Sequence, residues 1–271
     1  MAWQTAAIGG PAAAGLLFAA SREAPYWAAA ALLALSTIAV LAIRPLPAPT
    51  ASRDVHPFRQ VADGFRYVWS ERFLLGCVSL DLFAVLLGGA TALLPVFARD
   101  ILHVGAQGLG LMRASPAIGA VVIAAWLSWR PMTANVGAKM LWAVVAYGAA
   151  TIAFGLSRDF VASLGFLALL GAADMISVFV RTSLVQLNTP DGVRGRVSAI
   201  SGLAISASNE LGEMQSGVAA ALLGATGAVV FGGVGAIVIT ALWAVIFPEL
   251  RRAKTFAPQY RSFEPAREHT T

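Results

Sequence analysis

The sequence predicts an all-α fold, a polytopic bundle of about eight transmembrane helices, and three observations carry that prediction. Of 271 residues, 58% are hydrophobic and 12% charged, against roughly 25% charged in an ordinary soluble domain. The mean hydropathy is +0.74. Apolar runs long enough to cross a bilayer, about 20 residues each, recur along the chain with polar connections between them. Backbone in lipid has no water to bond, so such runs must close their own hydrogen bonds as helices, and 26 glycines let those helices approach closely. The single Cys77 makes no intrachain disulfide and the three histidines form no ligand cluster. Neither a metal nor a cofactor is therefore expected. The net charge of +5 reads here as basic residues that orient spans and meet anionic headgroups, not as a nucleic-acid surface.

The expected spans are residues 3–20, 25–43, 73–98, 109–129, 140–156, 160–187, 197–224 and 228–247. The first has no basic residue before it and carries Pro11 in its middle, so it reads as a span and not as a signal peptide. An even number of spans puts both termini on one side. Placed in the cytoplasm, they give fourteen basic residues inside; Arg22, Arg99 and Arg158 outside; and Arg113 and Arg181 within spans, which accounts for all 19. Lys and Arg concentrate on the cytoplasmic side of membrane proteins, so both ends are expected there.

This partitions the chain into two spans over residues 1–43, a cytoplasmic linker over 44–72, six spans over 73–250 and a tail over 251–271. The linker opens on Pro45, Pro47 and Pro49. Phe58, Val61, Ala62, Phe65, Val68 and Trp69 then recur at spacings of three and four, with Arg59, Asp63 and Arg66 between them. That pattern is an amphipathic helix, lying on the inner leaflet or docked on protein. The tail has no period and is expected to be disordered beyond Lys254.

Ionisable residues inside spans are expensive enough to be functional candidates. Asp81 heads a stripe continuing through Ala84, Gly88, Ala92 and Pro95, a small-residue face that belongs against protein. Asp174 and Arg181 are seven residues apart and share a helix face, but stand about 10 Å from one another, so each should find its partner on a different helix. In the seventh span Gly202, Ser206, Asn209, Glu213 and Gly217 fall within about 80° of arc, with Glu210 at the edge. Ile200, Leu203, Leu211, Met214, Val218 and Leu222 gather opposite. A span divided this way turns one face to lipid and the other to a cavity or close partner. Arg113, one turn inside its span, can snorkel to the headgroups. Each of the other five charges can be a structural pair or a functional group. Desolvation raises carboxylate pKa values in general, which lets such acids exchange protons as hydration changes.

The stretch from Gly171 to Gly224, with TPDGVRGRV at Thr189 to Val197 and SNELGE at Ser208 to Glu213, resembles the major facilitator superfamily, in the bacterial branch that contains the enterobactin exporter. Leu80 to Ala120 resembles that branch's seventh and eighth helices. Gly10, Pro11 and Gly15 resemble the Gly-Pro packing motif of the fifth helix in the superfamily's antiporters, although Ala6 and Ala14 stand where glycines are usual. The resemblance implies a six-helix C-terminal half preceded by the last two helices of an N-terminal half, as though the match begins at the fifth helix. It implies a substrate path between halves, with part of one wall missing. In Thr189, Pro190, Asp191, Arg194, Gly195 and Arg196 it implies a cytoplasmic gate latch. By residue chemistry, Pro190 stops the preceding helix, Gly192 and Gly195 permit turn geometry, and Asp191 can engage Arg194, Arg196 or a neighbouring helix N-terminus.

The function expected from this resemblance is secondary transport: proton-driven export of a small amphipathic molecule from a multi-pass position in the bacterial inner membrane, with Asp174, Glu210 and Glu213 coupling protons. The chain is expected to need association, as a homo-oligomer or with a missing N-terminal half. The alternative is a non-transporting fragment or partner subunit of a membrane complex. No HExxH, GxSxG or phosphate loop occurs, so no enzyme is expected.

Overall fold

The computed structural model describes residues 23–42 and 57–257, with Leu17 and Ser21 before them. The expected first span, the Gly10, Pro11 and Gly15 motif, the proline-rich linker and the tail after Ala257 lie outside the described residues. The chain forms two compact units, Met1–His56 and Pro57–Thr271.

In the first unit, helix α1 spans Ala24–Leu41. Pro25 sits at its start, where a missing N–H does no harm. The Ser21 hydroxyl accepts from the Glu23 and Ala24 amides at 3.2 and 3.1 Å, supplying partners for donors that a helix start leaves free. Its eighteen residues are apolar on every side and long enough to cross a membrane.

The second unit begins with α2, Pro57–Ser70, and continues through α3, Arg72–Leu87; α4, Ala106–Trp129; α5, Val136–Leu156; α6, Phe160–Asn188; α7, Asp191–Ile246; and α8, Pro248–Arg252. Among the described residues there is no strand, and the fold is the all-α polytopic bundle that the hydropathy implies. The 56-residue α7 is two spans, because Gly224 breaks it with φ +73° and ψ 166°, a conformation open to glycine. Gly212 packs on the Val85 and Leu86 backbone and Gly232 on that of Leu87. Residues on either side of Gly224 thus meet the same turn of α3, so the two arms run back on one another as a hairpin.

Helices adjacent in sequence are not always adjacent in space. α6 packs on α4 and α5, α7 packs on α3 and α5, and α5 holds the two pairs together. The α4–α6 contact is close because glycines face backbone: a Cβ on Gly119 would overlap the Ala168 carbonyl oxygen, and one on Gly171 the Pro116 carbonyl oxygen. Membrane helices associate through this kind of small-residue packing, since lipid offers no hydrophobic drive between them.

Two apolar clusters lie at opposite ends of the bundle. One gathers Val68, Phe73, Leu80, Met140, Leu184, Val197, Phe247 and Leu250. The other gathers Leu94, Phe97, Met112, Phe154, Leu167, Ala219 and Val229. α4, α5, α6 and both arms of α7 pass from one cluster to the other, and the layer between is small and polar: Gly88, Gly89, Tyr147, Gly148, Asp174, Gly212, Ser216, Gly232 and Gly233. In that layer the third span departs from the continuous helix expected over 73–98. α3 ends at Leu87, and after Gly88 and Gly89 the chain continues as a tight 3-10 turn at Ala90–Leu93, a short turn at Leu94–Val96 and a wide turn at Phe97–Ile101. The paired glycines carry little helix propensity, the Ala92 amide bonds to the Gly89 carbonyl in a tight turn, and Pro95 has no amide to offer the Thr91 carbonyl just past the break.

Candidate substrate and coupling site

The intramembrane charges fall into three separate places. Asp81 of α3 and Arg181 of α6 form an ion pair, with residue exposures of 8% and 6%. They sit within the first apolar cluster, one residue along from Leu80 and Val180, near the fully buried Cys77. Arg181 thus finds its acid on a different helix, and Asp174 is left without it.

Asp174 is half-buried on α6 in the small and polar middle layer, within electrostatic range of Tyr147 on α5. The Tyr147 hydroxyl donates to the Gly88 carbonyl at 3.0 Å, which the broken helix leaves without an amide partner. Gly89 lies against the Ser216 hydroxyl of α7. An unwound backbone segment, a phenol, a carboxylate and a hydroxyl therefore share one depth. Irregular backbone persists at membrane depth where protein or a hydrated cavity covers it, and discontinuous helices of this kind line binding sites in transporters. Besides Asp174, the sequence marks this centre by a Gly-Gly pair upstream of Pro95 and by one hydroxyl-bearing aromatic in α5; Tyr147 was not among the expected site residues.

Asn209, Glu210 and Glu213 form the third place, on the first arm of α7. All three are exposed, as are Gly202, Ser206 and Gly217 of the same stripe. The face that packs on α3 is a different one, made of Ser208, Gly212, Ser216 and Ala219. Leu203, Leu211, Met214, Val218 and Leu222 on the remaining side are exposed as well. The arm therefore has three faces: a small-residue seam against α3, an apolar side, and an uncovered polar stripe. Among the described residues, no hydrogen bond or ion pair joins Glu210 or Glu213 to Asp174. Near them the Gln215 Oε1 and Ser201 Oγ atoms are buried without a hydrogen-bond partner.

The segment expected as a gate loop is shorter as a loop than its glycines imply. Only Thr189 and Pro190 separate α6 from α7, which is helical from Asp191 onward. Pro190, with ψ 147°, turns the chain directly into the new helix, so Gly192 and Gly195 serve helix and not turn. Arg194 reaches back to donate to the Gln186 and Thr189 carbonyls at 3.1 and 3.3 Å. A cation on the free carbonyls of a helix end is favourable. Arg196 donates to the Gly192 carbonyl at 3.3 Å and stands 3.9 Å from the Asp63 carboxylate of α2. The Thr189 hydroxyl is buried and donates to the Val185 carbonyl at 2.6 Å. This corner ties α6, α7 and α2 together.

Comparison with known proteins accords with this architecture. A family model described as transmembrane secretion effector matches residues 1–268. The enterobactin exporter EntS of Citrobacter koseri is 28% identical over 218 residues, covering 80% of this chain and 50% of the relative. The EntS proteins of Escherichia coli O139:H28 and Shigella boydii serotype 18 are 27% identical over the same shares. The chain spans about half the length of the curated relatives it matches. No solved structure matches it. A helical membrane bundle with a broken span, matched almost end to end by that model, belongs to the transmembrane secretion effector family of major facilitator transporters.

Proposed function

We propose that this chain forms one wall of a proton-coupled exporter of small amphipathic molecules, in which the Gly202, Ser206, Asn209 and Glu213 stripe faces the substrate path. The observation that carries this reading is the exposure of that stripe in the middle of a span. A carboxylate on such a face has no place against acyl chains, where each charge is costly, so it turns toward water or toward further helices. In this reading Glu213 exchanges protons as the path opens and closes. Asp174, held near Tyr147 beside the broken α3, responds to the same change in hydration from the neighbouring helix pair. Arg194 and Arg196 act at the end of the path, where their bonds join α6, α7 and α2. The facing wall comes from an N-terminal half like that of the resembled transporters, or from a second polypeptide. A subunit that completes another membrane protein would present the same uncovered stripe, and is the second reading.

The test is export from inverted membrane vesicles, with enterobactin and the dye Hoechst 33342 as separate probes, measured between pH 6 and 8. With the wild-type chain, export that varies with pH and collapses on adding a protonophore is the expected result. Glu213→Gln should flatten that pH dependence by about tenfold at its extremes while the protein accumulates to wild-type level. A variant that keeps the full pH dependence would make Glu213 a packing residue. Absence of any protonophore-sensitive export by the wild type, alone or with its binding partner, would favour the subunit reading.

A further inference from the structure

The helix α2 at Pro57–Ser70 is docked on protein along one edge only. Gly64 lies against Arg196, with room for a Cβ only 3.1 Å from the Arg196 Cβ. Val68 is buried in the first apolar cluster and Tyr67 packs beside it. The next sector round the helix holds Phe65 and Trp69, which are 54% and 64% exposed and stack on one another at 5.6 Å. Beyond that sector comes the exposed Arg66, and then Asp63 turned toward Arg196.

Connectivity fixes the depth of this helix. Only Glu71 separates it from Arg72, where the membrane span of α3 begins, so α2 lies at the membrane–water boundary. At the same end of the bundle, Trp129 closes α4 with 91% exposure, followed by the exposed Arg130. Tryptophan at this level and arginine just outside it are the residues that favour the headgroup zone.

We propose that α2 is an interfacial anchor that binds anionic phospholipid, its Phe65–Trp69 flank seated among the upper acyl chains and Arg66 on the headgroup phosphates. The three sectors follow in the order such a helix needs: protein, hydrocarbon, charge. An amphipathic helix in the interface buries its aromatic side by about 5–10 Å while its cations stay at headgroup level. Since α2 is also tied to the start of α7 through Gly64 and the Asp63–Arg196 contact, the lipid surface is connected to the Thr189–Arg196 corner.

Site-directed spin labels test this in the full chain, carrying Cys77→Ala and reconstituted in discs of phosphatidylcholine with phosphatidylglycerol. Single cysteines at positions 63, 65, 66 and 69 should divide by face: labels at 65 and 69 open to oxygen, and about fivefold less open to an aqueous nickel complex than labels at 63 and 66. Fluorophores at position 69 should be quenched more by brominated phosphatidylglycerol than by brominated phosphatidylcholine, and Arg66→Glu should reduce that preference by roughly fivefold. Three results would overturn the anchor. Nickel access at 65 and 69 equal to that at 66 would put the flank in water. Shielding of 65 and 69 from both oxygen and nickel would mean a protein segment or a second copy covers them. Equal quenching by the two lipids, unchanged by Arg66→Glu, would remove the anionic partner.

Discussion

Arg181 shares a helix face with Asp174, seven residues before it, and the fold pairs it instead with Asp81 of α3. The seven-residue separation already disfavours Asp174, and a pair across α3 and α6 also joins two helices that otherwise touch little. Removing one member leaves a charge in a site whose neighbours are Leu80, Cys77 and Val180, all with exposure of 2% or less. Arg181→Met should therefore destabilise the protein by about 3–5 kcal/mol, whereas the double variant Asp81→Leu with Arg181→Met should recover most of that loss. The protein carries its own reporter: Cys77, the single cysteine, is fully buried, so its reaction with a maleimide dye on heating reads unfolding directly. A double variant no more stable than Arg181→Met would show that the pair holds the fold by geometry and not by neutralising a buried charge.

Among helices, the glycines separate into those that touch backbone and those that touch nothing. On α4 and α6, Gly119 and Gly171 meet opposing carbonyls, while Gly110 and Gly165 face open space. Gly119→Ala or Gly171→Ala should force the helix pair apart and destabilise by about 1–3 kcal/mol. Gly165→Ala should stabilise by up to about 1 kcal/mol through helix propensity alone; the same thiol assay ranks them. Equal effects at Gly119 and Gly165 would remove close packing as the glue of this pair. The sequence does not distinguish these glycines, since each sits in an apolar run and only the partner helix decides which is needed. What was legible followed from period and length: the extents of α4 and α6, the turn near Gly224 and the helix α2, whereas the buried Ser208, Gly212, Ser216 and Ala219 seam of α7 was not expected. What was not legible depended on contacts distant in sequence. The break after Leu87 needs Tyr147, 59 residues on, to satisfy the Gly88 carbonyl.

On the scale of the whole unit, the two ends of the bundle differ in charge, and that difference bears on its orientation. One end carries Arg66, Arg72, Arg130, Lys139, Arg194, Arg196, Arg251, Arg252 and Lys254. It is held together by bonds that leave no doubt these residues share a side: Gly137 N–H donates to the Ala253 carbonyl at 3.0 Å, Arg72 to the Ile246 carbonyl at 2.8 Å, and Arg196 approaches Asp63. The opposite end carries Arg99, paired with its neighbour Asp100 at 2.6 Å, and Arg158, which donates to the Gly155 and Ser157 carbonyls at the end of α5 and to Thr226. With Arg113 in the second turn of α4, these are the few arginines and lysines toward that end among the described residues, against nine at the basic end. Because retention of Lys and Arg in the cytoplasm sets orientation during insertion, the basic end should face the cytoplasm and Gly224 the exterior. Gln107 in the first turn of α4 and Thr133 in the connection after its last residue, Trp129, are exposed and suited to cysteine reporters. In intact cells, Gln107→Cys should react with a membrane-impermeant maleimide, and Thr133→Cys should react only after the membrane is opened. The reverse pattern would invert the bundle, put the basic residues outside, and place the Thr189–Arg196 corner at the outer mouth of the path.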